Sequence, residues 1–230
     1  MANVCLLVLG GEIRDDDLFR ERVGEVDLIL AADSGARHLL RIGVMPEQIY
    51  GDMDSLSVDE IRQFENNGCL FVVCPAEKDD TDGCIVLREA LSRGFKDIRI
   101  WGALGGRPDH SYANLMLLQF ILQPDFNEFY NTGETSLPDI VIEDKGYRIF
   151  LAKQGQRIEG KAGDFLSFFA LTPEVTGFEQ KGLKYQPPGG RFVSSFPLGV
   201  SNEFMEDNVW INWQTGLLLC MQIDASVDRD

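Results

Sequence analysis

The chain has 230 residues, of which 44% are hydrophobic and 25% charged, a composition typical of a soluble globular protein with one large or two small domains. Its formal net charge of -16 argues against a nucleic-acid partner, because phosphate backbones require a basic protein surface. Its apolar runs are too short to span a bilayer, and the N-terminal run lacks the basic region of a signal peptide, so we expect a cytoplasmic protein without a membrane partner.

The first half of the chain alternates apolar runs with helix-like segments. Five strands are predicted from VCLLVLG, VDLILAAD, QIYGD, LFVVCP and DIRIWGAL. Helices are predicted from SGARHLLRIG, SVDEIRQFENNG, DTDGCIVLREALSRG and RPDHSYANLMLLQFIL. Continuous apolar strands alternating with helices predict a Rossmann-like α/β/α domain, in which helices cover both faces of a mostly parallel sheet.

The second half has a different pattern, because helical periodicity fades after about Pro138. Short segments separated by glycine, asparagine and proline, such as GDFLSFFALT, NVWINWQTG and LLLCMQID, predict a smaller all-β sandwich domain. The polar, turn-rich stretch NTGETSLPD separates the two patterns. We therefore expect an α/β domain over residues 1–135 and a β domain over residues 136–230.

Glycines and charged residues follow each predicted strand of the first half. In open α/β sheets, ligands bind beyond the carboxyl ends of the strands, so these residues are expected to meet at one edge. Charge scattered at random would not collect there, and the pattern predicts a ligand site. The residues are Gly10 and Gly11; Asp33, Ser34 and Gly35; Gly51, Asp52 and Asp54; Lys78, Asp79, Asp80 and Asp82; and Gly105, Gly106, Arg107 and Asp109.

Acidic residues at this edge suggest a magnesium site. Asp52 and Asp54 are two residues apart and point the same way if the chain is extended, so both could bind one ion. Asp79 and Asp82 open a predicted helix and could complete the ligand set. A D-x-D pair after a glycine also occurs as a solvated turn, and EKDDTDG could simply cap its helix.

Basic residues and glycines at the same edge suggest phosphate binding. Lys78 and Arg107 offer the positive charge that phosphate oxygens require. Gly105 and Gly106 would let backbone amides approach a phosphate at the start of the following helix. Together with the carboxylates, these residues predict phosphoryl-transfer chemistry.

Six motifs, in order along the chain, resemble those of the thiamine pyrophosphokinase family. AADSGARHLL resembles its A-D-x-G-A segment, GDMDSL its G-D-x-D-S, KDDTDG its D-x-T-D, and GALGGRPDH its G-x-x-G-G-R-x-D-H. In the second half, KGLKY and VSN resemble its G-L-x-Y and S-N signatures. The resemblance spans both halves, from Asp33 to about Asn202.

The resemblance implies an enzyme that transfers the pyrophosphoryl group of ATP to the hydroxyl of thiamine, giving thiamine diphosphate and AMP. It implies a homodimer with the thiamine site at the subunit interface. The implied catalytic residues are Asp52, Asp54, Asp82 and Asp109, of which the first three would bind Mg²⁺. The implied residues for ATP and its phosphates are Asp33, Ser34, Lys78, Asp79, Gly105, Gly106 and Arg107. For thiamine the implied residues are Ser201 and Asn202.

Two alternatives to this function remain at the level of sequence. The same carboxylates would serve a pyrophosphokinase acting on another alcohol, such as a hydroxymethylpterin. A nucleotide-binding regulator without catalysis is a second alternative, although the chain keeps all the charged residues that the family motifs contain. Pro108 departs from the aromatic or apolar residue that the family usually has there, and the segment GLLLCMQ lacks the tryptophan of some eukaryotic members.

Overall fold

The chain folds as two compact units, Met1–Lys145 and Gly146–Asp230, which are described separately below. The structure is a computed structural model, and it describes residues 3–74, 80–122 and 137–227. No helix within these residues is both long enough and apolar enough to cross a membrane.

The first unit contains a parallel sheet. Its described strands are β1 (Val4–Val8), β2 (Leu28–Ala32), β3 (Gln48–Gly51), β4 (Leu70–Val73), β5 (Asp97–Trp101) and β6 (Asp139–Asp144). They lie in the order β6-β5-β1-β2-β3-β4, and each neighbouring pair is parallel. The five strands predicted in the first half are confirmed. Strand β6 lies beyond the predicted boundary at 135/136 but pairs with β5, so the compact units divide after Lys145 instead.

Helices connect these strands. They are α1 (Asp16–Val23), α2 (Ala36–Arg41), α3 (Val58–Asn66), α4 (Asp82–Ser92) and α5 (Pro108–Met116), with 3-10 turns over Asp33–Gly35 and Leu117–Leu122. Helix α3 begins with a capping box, in which the Ser57 and Glu60 side chains bond to each other's backbone amides. Helix α1 is absent from the sequence prediction, because its eight residues bury only Phe19 and Val23 and give little periodic signal.

Apolar side chains cover both faces of the parallel sheet. On one face, strand residues pack against helices α1, α2 and α3 in a cluster that includes Leu6, Val8, Phe19, Leu39 and Phe64. Leu7 alternates to the opposite face of β1, where it is also fully buried. Helix α4 packs against β1, β2 and β3 and buries Val86 and Leu87. The predicted α/β class is confirmed.

The second unit consists of short antiparallel strands. They are β7 (Tyr147–Leu151), β8 (Arg157–Glu159), β9 (Phe165–Ala170), β10 (Glu174–Val175), β11 (Glu179–Lys181), β12 (Phe192–Val193), β13 (Gly199–Glu203), β14 (Asn208–Asn212) and β15 (Leu218–Ile223). Strands β13-β9-β15-β7 are neighbours in one sheet, β11-β14-β8 form a second, and β10 pairs with β12. Phe168, Phe178 and Phe192 pack with ring centroids 4.9 to 5.7 Å apart. The predicted C-terminal β domain is confirmed.

Candidate active site

A cleft of about 420 Å³ opens at the carboxyl edge of the parallel sheet in the first unit. Its walls come from the segments after β1, β2 and β5, and from the first turns of α4 and α5. The sequence-predicted residues that line it are Gly10, Gly11, Asp33, Ser34, Asp80, Asp82, Gly105, Gly106 and Arg107. Lys78 and Asp79, predicted to bind phosphate and support the metal, lie outside the described residues.

Two glycine-rich segments run side by side along this cleft. The amide of Gly11 donates to the Gly102 carbonyl at 2.7 Å, and the amide of Glu12 donates to the Leu104 carbonyl at 2.6 Å. A Cβ at Gly11 would collide with the Leu104 carbonyl oxygen. Glycine is therefore needed at this position for the two backbones to approach, and this approach shapes one wall of the cleft.

Three carboxylates converge where β2 and β3 end. One oxygen each from Asp33, Asp52 and Asp54 lie within 4.8 Å of one another, and we call these residues the carboxylate cluster. Asp33 and Met53 have left-handed backbones, with φ of 44° and 64°, which are uncommon for residues other than glycine. Such backbone conformations concentrate at functional sites, and here they accompany the turn of all three carboxylates towards one point.

Hydrogen bonds hold two members of the carboxylate cluster. The Ser55 hydroxyl donates to Asp33 Oδ1 at 2.6 Å, and the Asp54 amide donates to Asp52 Oδ1 at 3.2 Å. Asp33 also lines the cleft, so the carboxylate cluster and the cleft share a residue. The cluster is thus a fixed part of the same site.

Mutual repulsion perturbs the carboxylate cluster. The negative charge of Asp52 raises the pKa of Asp54 above its ordinary value, a hydrogen bond from Asp54 to Asp52 raises it further, and the charges of Asp33 and Asp82 add smaller contributions. A bound cation would reverse this effect, because it favours the ionised form. Carboxylate oxygens are the ligands that Mg²⁺ prefers, so the donor set fits this ion. Asp82 contributes charge here but is not one of the three clustered residues.

An ion pair forms at the start of α5. Arg107 binds Asp109 through two contacts, Nη2 to Oδ2 at 2.6 Å and Nε to Oδ1 at 3.1 Å. The Arg107 hydrogen bonds lower the pKa of Asp109 to about 2. Both side chains are exposed, and Arg107 lines the cleft. Asp109 is therefore a weak base that orients Arg107.

Polar residues that the sequence prediction missed hold the loop after β5. Asn114 donates to the Ala103 carbonyl at 2.8 Å, and the Ser111 hydroxyl donates to the Gly105 carbonyl at 3.2 Å. Ser111 and Asn114 are three residues apart on α5 and so share one helix face, a spacing that could have revealed them.

Thr81 and His110, also outside the predicted set, line the cleft as well. Thr81 caps α4, since its hydroxyl accepts the Cys84 amide at 3.2 Å. The interpretation of EKDDTDG as a helix cap therefore holds for Thr81, which caps the helix and faces the cleft.

The two residues predicted to bind thiamine lie on β13 of the second unit. Asn202 is buried, and its Oδ1 accepts the Tyr185 amide at 2.9 Å while its Nδ2 donates to the Tyr185 carbonyl at 2.8 Å. The KGLKY and VSN motifs thus meet in the structure. Ser201 is exposed and has a left-handed backbone with φ of 57°. Asn202, by contrast, fixes the position of Tyr185 through its two hydrogen bonds.

Two family models match the chain. The model for the catalytic domain of thiamin pyrophosphokinase matches residues 19–129, and the model for its vitamin B1 binding domain matches residues 152–218. Together they cover more than half of the chain, and each falls within one of the two compact units.

Individual proteins show the same similarity. The chain is 28% identical over 202 residues to thiamine pyrophosphokinase from Bacillus subtilis, covering 86% of this chain and 88% of that protein. The crystal structure of the Bacillus subtilis enzyme superimposes with a TM-score of 0.79 at 25% identity, covering 96% and 99% of the two chains. Thiamin pyrophosphokinase from Candida albicans shares the fold, with a TM-score of 0.75 at 19% identity and coverage of 97% and 90%. With both domain models matched in order, the chain belongs to the thiamine pyrophosphokinase family.

Proposed function

We propose that this protein transfers the pyrophosphoryl group of ATP to the hydroxyl of thiamine, giving thiamine diphosphate and AMP. The observation that carries this proposal is the position of Asp33, which belongs to the carboxylate cluster and also lines the cleft. The carboxylate cluster and a cleft of about 420 Å³ that is lined by an arginine are thus joined through one residue. Transfer of a phosphoryl group requires mainly positioning and charge neutralisation, and this arrangement offers both.

In this proposal Asp33, Asp52 and Asp54 bind Mg²⁺. Bound there, the ion would neutralise phosphate charge and relieve the repulsion among the carboxylates. Asp82 faces the same cleft and acts electrostatically on Asp54, and we keep it as the fourth carboxylate of this set.

Arg107 and the loop around Gly105 and Gly106 would bind the phosphates of ATP. The guanidinium lies in the cleft wall, and Asp109 orients it through two hydrogen bonds. Gly106 has a left-handed backbone with φ of 66°, and a Cβ built there meets nothing within 4 Å. An open backbone of this kind allows amides to approach phosphate oxygens.

The second unit would bind thiamine, with Ser201 as a direct contact and Asn202 holding the Tyr185 segment. The match to a vitamin B1 binding domain favours thiamine over a hydroxymethylpterin. Strand β13, at the end of its sheet, exposes Val200, and the preceding loop exposes Phe196 and Leu198. A second copy of the chain would cover these apolar side chains, which supports the homodimer. The cytoplasmic location stays a prediction.

A coupled assay for AMP tests the activity. Purified protein is mixed with ATP and Mg²⁺ and offered thiamine or a hydroxymethylpterin in parallel, with EDTA replacing Mg²⁺ as the control. We expect AMP with thiamine alone, and loss of AMP formation in EDTA. No AMP with thiamine would overturn the proposal, and AMP with only the pterin would replace it with the alternative.

A further inference from the structure

His38 links helix α2 to the glycine segment that borders the cleft. Its Nε2 lies 2.7 Å from the carbonyl oxygen of Gly11. Its Nδ1 lies 3.0 Å from Nη1 of Arg41, which in turn binds Asp16 of α1 with Nη2 and Nε at 2.5 and 2.9 Å. A continuous chain of hydrogen bonds therefore runs from α1 through α2 to the Gly11 backbone.

The partners of His38 select one protonation state. A guanidinium can only donate, so Nδ1 must accept the hydrogen bond from Arg41. A carbonyl oxygen can only accept, so Nε2 must carry the hydrogen that is donated to Gly11. The geometry is satisfied by the neutral Nε2–H tautomer, whereas a second proton on Nδ1 would face the Arg41 donor.

The carbonyl that His38 binds belongs to the wall of the cleft. Gly11 lines the cleft, and the amide of the same residue donates to Gly102 on the adjacent glycine-rich segment. The Glu12 side chain packs beside Gly105, so a displacement at Gly11 would be felt in the loop that carries Gly105 and Gly106. Gly11 has no side chain that could anchor it, so the hydrogen bond from His38 to its carbonyl restricts the position of this part of the wall.

We propose that His38, as the neutral Nε2–H tautomer, is a positioning residue that fixes the Gly11 backbone and through it the ATP-binding wall of the cleft. The His38 ring bonds to Gly11 and Arg41, so it acts on the cleft through the Gly11 backbone. The choice of ATP as the affected ligand rests on the proposed function. The tautomer of His38 and its link to Arg41 are independent of the proposed function.

Protonation of His38 should weaken this arrangement. Burial, opposed by the Gly11 hydrogen bond, lowers the pKa of His38; the positive charge of Arg41 lowers it further, and Asp16 raises it. The folded state therefore favours the neutral ring, and the contribution of His38 is complete above the unfolded pKa. It is lost as the pH falls towards the lower pKa of the folded state.

Nuclear magnetic resonance of ¹⁵N-labelled protein tests the tautomer without any substrate. The chain has two histidines, so a His110→Gln variant assigns the His38 ring signals. We expect a protonated Nε2, an unprotonated Nδ1, and a titration midpoint below 6.5. In Arg41→Met the midpoint should rise, because a donor and a like charge are removed. A midpoint unmoved by Arg41→Met would overturn the proposed link.

Calorimetric binding of ATP with Mg²⁺ tests the effect on the cleft. His38→Gln keeps a donor and an acceptor but does not titrate, whereas His38→Leu keeps the bulk and loses both. At about pH 7.5 we expect His38→Leu to weaken ATP binding about tenfold, as for one lost hydrogen bond, and His38→Gln to bind nearly as well as wild type. Equal affinities for His38→Leu and wild type would overturn the proposal.

The pH dependence separates positioning from general damage to the fold. From about pH 7.5 down through the His38 midpoint measured by magnetic resonance, ATP affinity should fall more steeply for wild type than for His38→Gln. Identical slopes would overturn the proposal, and this comparison does not require His38→Leu to fold. If AMP formation with thiamine failed while these binding differences appeared, the proposed function would be lost and the role of His38 retained.

Discussion

At the scale of single residues, the carboxylate cluster places three like charges close together, which is unfavourable for the stability of the fold. Asp33, Asp52 and Asp54 repel one another, and two left-handed backbones accompany their convergence. The sequence predicted Asp52 and Asp54 as metal ligands from their spacing. The family resemblance implied Asp33 as a residue for ATP, and the pairing of β2 with β3 explains its approach to Asp52 and Asp54.

Replacing Asp54 by asparagine should separate metal binding from folding. We expect Asp54→Asn to abolish AMP formation, because a ligand of the proposed ion is lost. Without Mg²⁺ the variant should melt at the same temperature as wild type or higher, because the pKa of Asp54 is raised by repulsion and the ionised form therefore destabilises the fold at neutral pH. Mg²⁺ should raise the melting temperature of wild type more than that of the variant.

The matched control is Asp59→Asn, which removes a carboxylate that is 95% exposed on α3. Its AMP formation and its response to Mg²⁺ should equal those of wild type. An active Asp54→Asn enzyme would show that this aspartate is not an essential ligand.

Asp109 gives a second prediction at this scale. Because Arg107 lowers the pKa of Asp109 to about 2, the carboxylate stays ionised at every pH at which the enzyme would be assayed. We expect Asp109→Asn to weaken ATP binding several-fold by releasing Arg107, and to leave the shape of the pH–rate profile unchanged. Loss of a limb of that profile would instead make Asp109 a proton acceptor in the reaction.

At the scale of helices and strands, the strands of the first half were the elements easiest to predict, because a sheet between two layers of helices has apolar side chains on both faces. Five of the six described strands of the parallel sheet were predicted from apolar runs, which are typical of a sheet with helices on both faces. Helix α1 escaped prediction, since a short helix with two buried residues resembles a polar loop. Strand β6 was assigned to the β domain, because a strand pattern does not identify its partner, and here the partner is β5.

Helix α3 is joined to α2 by an ion pair whose effect on stability should depend on pH. Arg37 binds Glu60 at 2.9 and 3.2 Å and, with the Ser57 amide, lowers the pKa of Glu60 to about 2. Stability from this carboxylate is present above its unfolded pKa near 4.5 and is lost as the pH falls towards 2. We expect Glu60→Gln to lower the melting temperature at neutral pH, by a margin that shrinks in acid.

Thermal melts across this pH range check the pattern, with Glu65→Gln on the exposed side of the same helix as the control. The control should melt close to wild type throughout. A deficit for Glu60→Gln that stays constant down to the acid limit would show that the charge of Glu60 contributes nothing.

At the scale of the whole molecule, the residues proposed to bind ATP and those proposed to bind thiamine belong to different units. The cleft and the carboxylate cluster belong entirely to the first unit, and Ser201 and Asn202 to the second. The sequence motifs predicted both domains, but one sequence does not show how two copies of the chain assemble. The exposed apolar residues around β13 are the physical reason to expect a second copy there.

Charge introduced on β13 should therefore disrupt assembly and thiamine use together. Val200 is 51% exposed at the sheet edge, and Val200→Asp would place a carboxylate in the proposed interface. We expect light scattering to show a monomer that still binds ATP with Mg²⁺ but forms little AMP with thiamine, because burying an unpaired charge is costly. Val73→Asp is the matched control: Val73 is 71% exposed on edge strand β4 of the first unit, and this variant should remain dimeric and active. A wild-type monomer with full turnover would place thiamine binding within one subunit, and a Val200→Asp variant that stays dimeric would exclude Val200 from the interface.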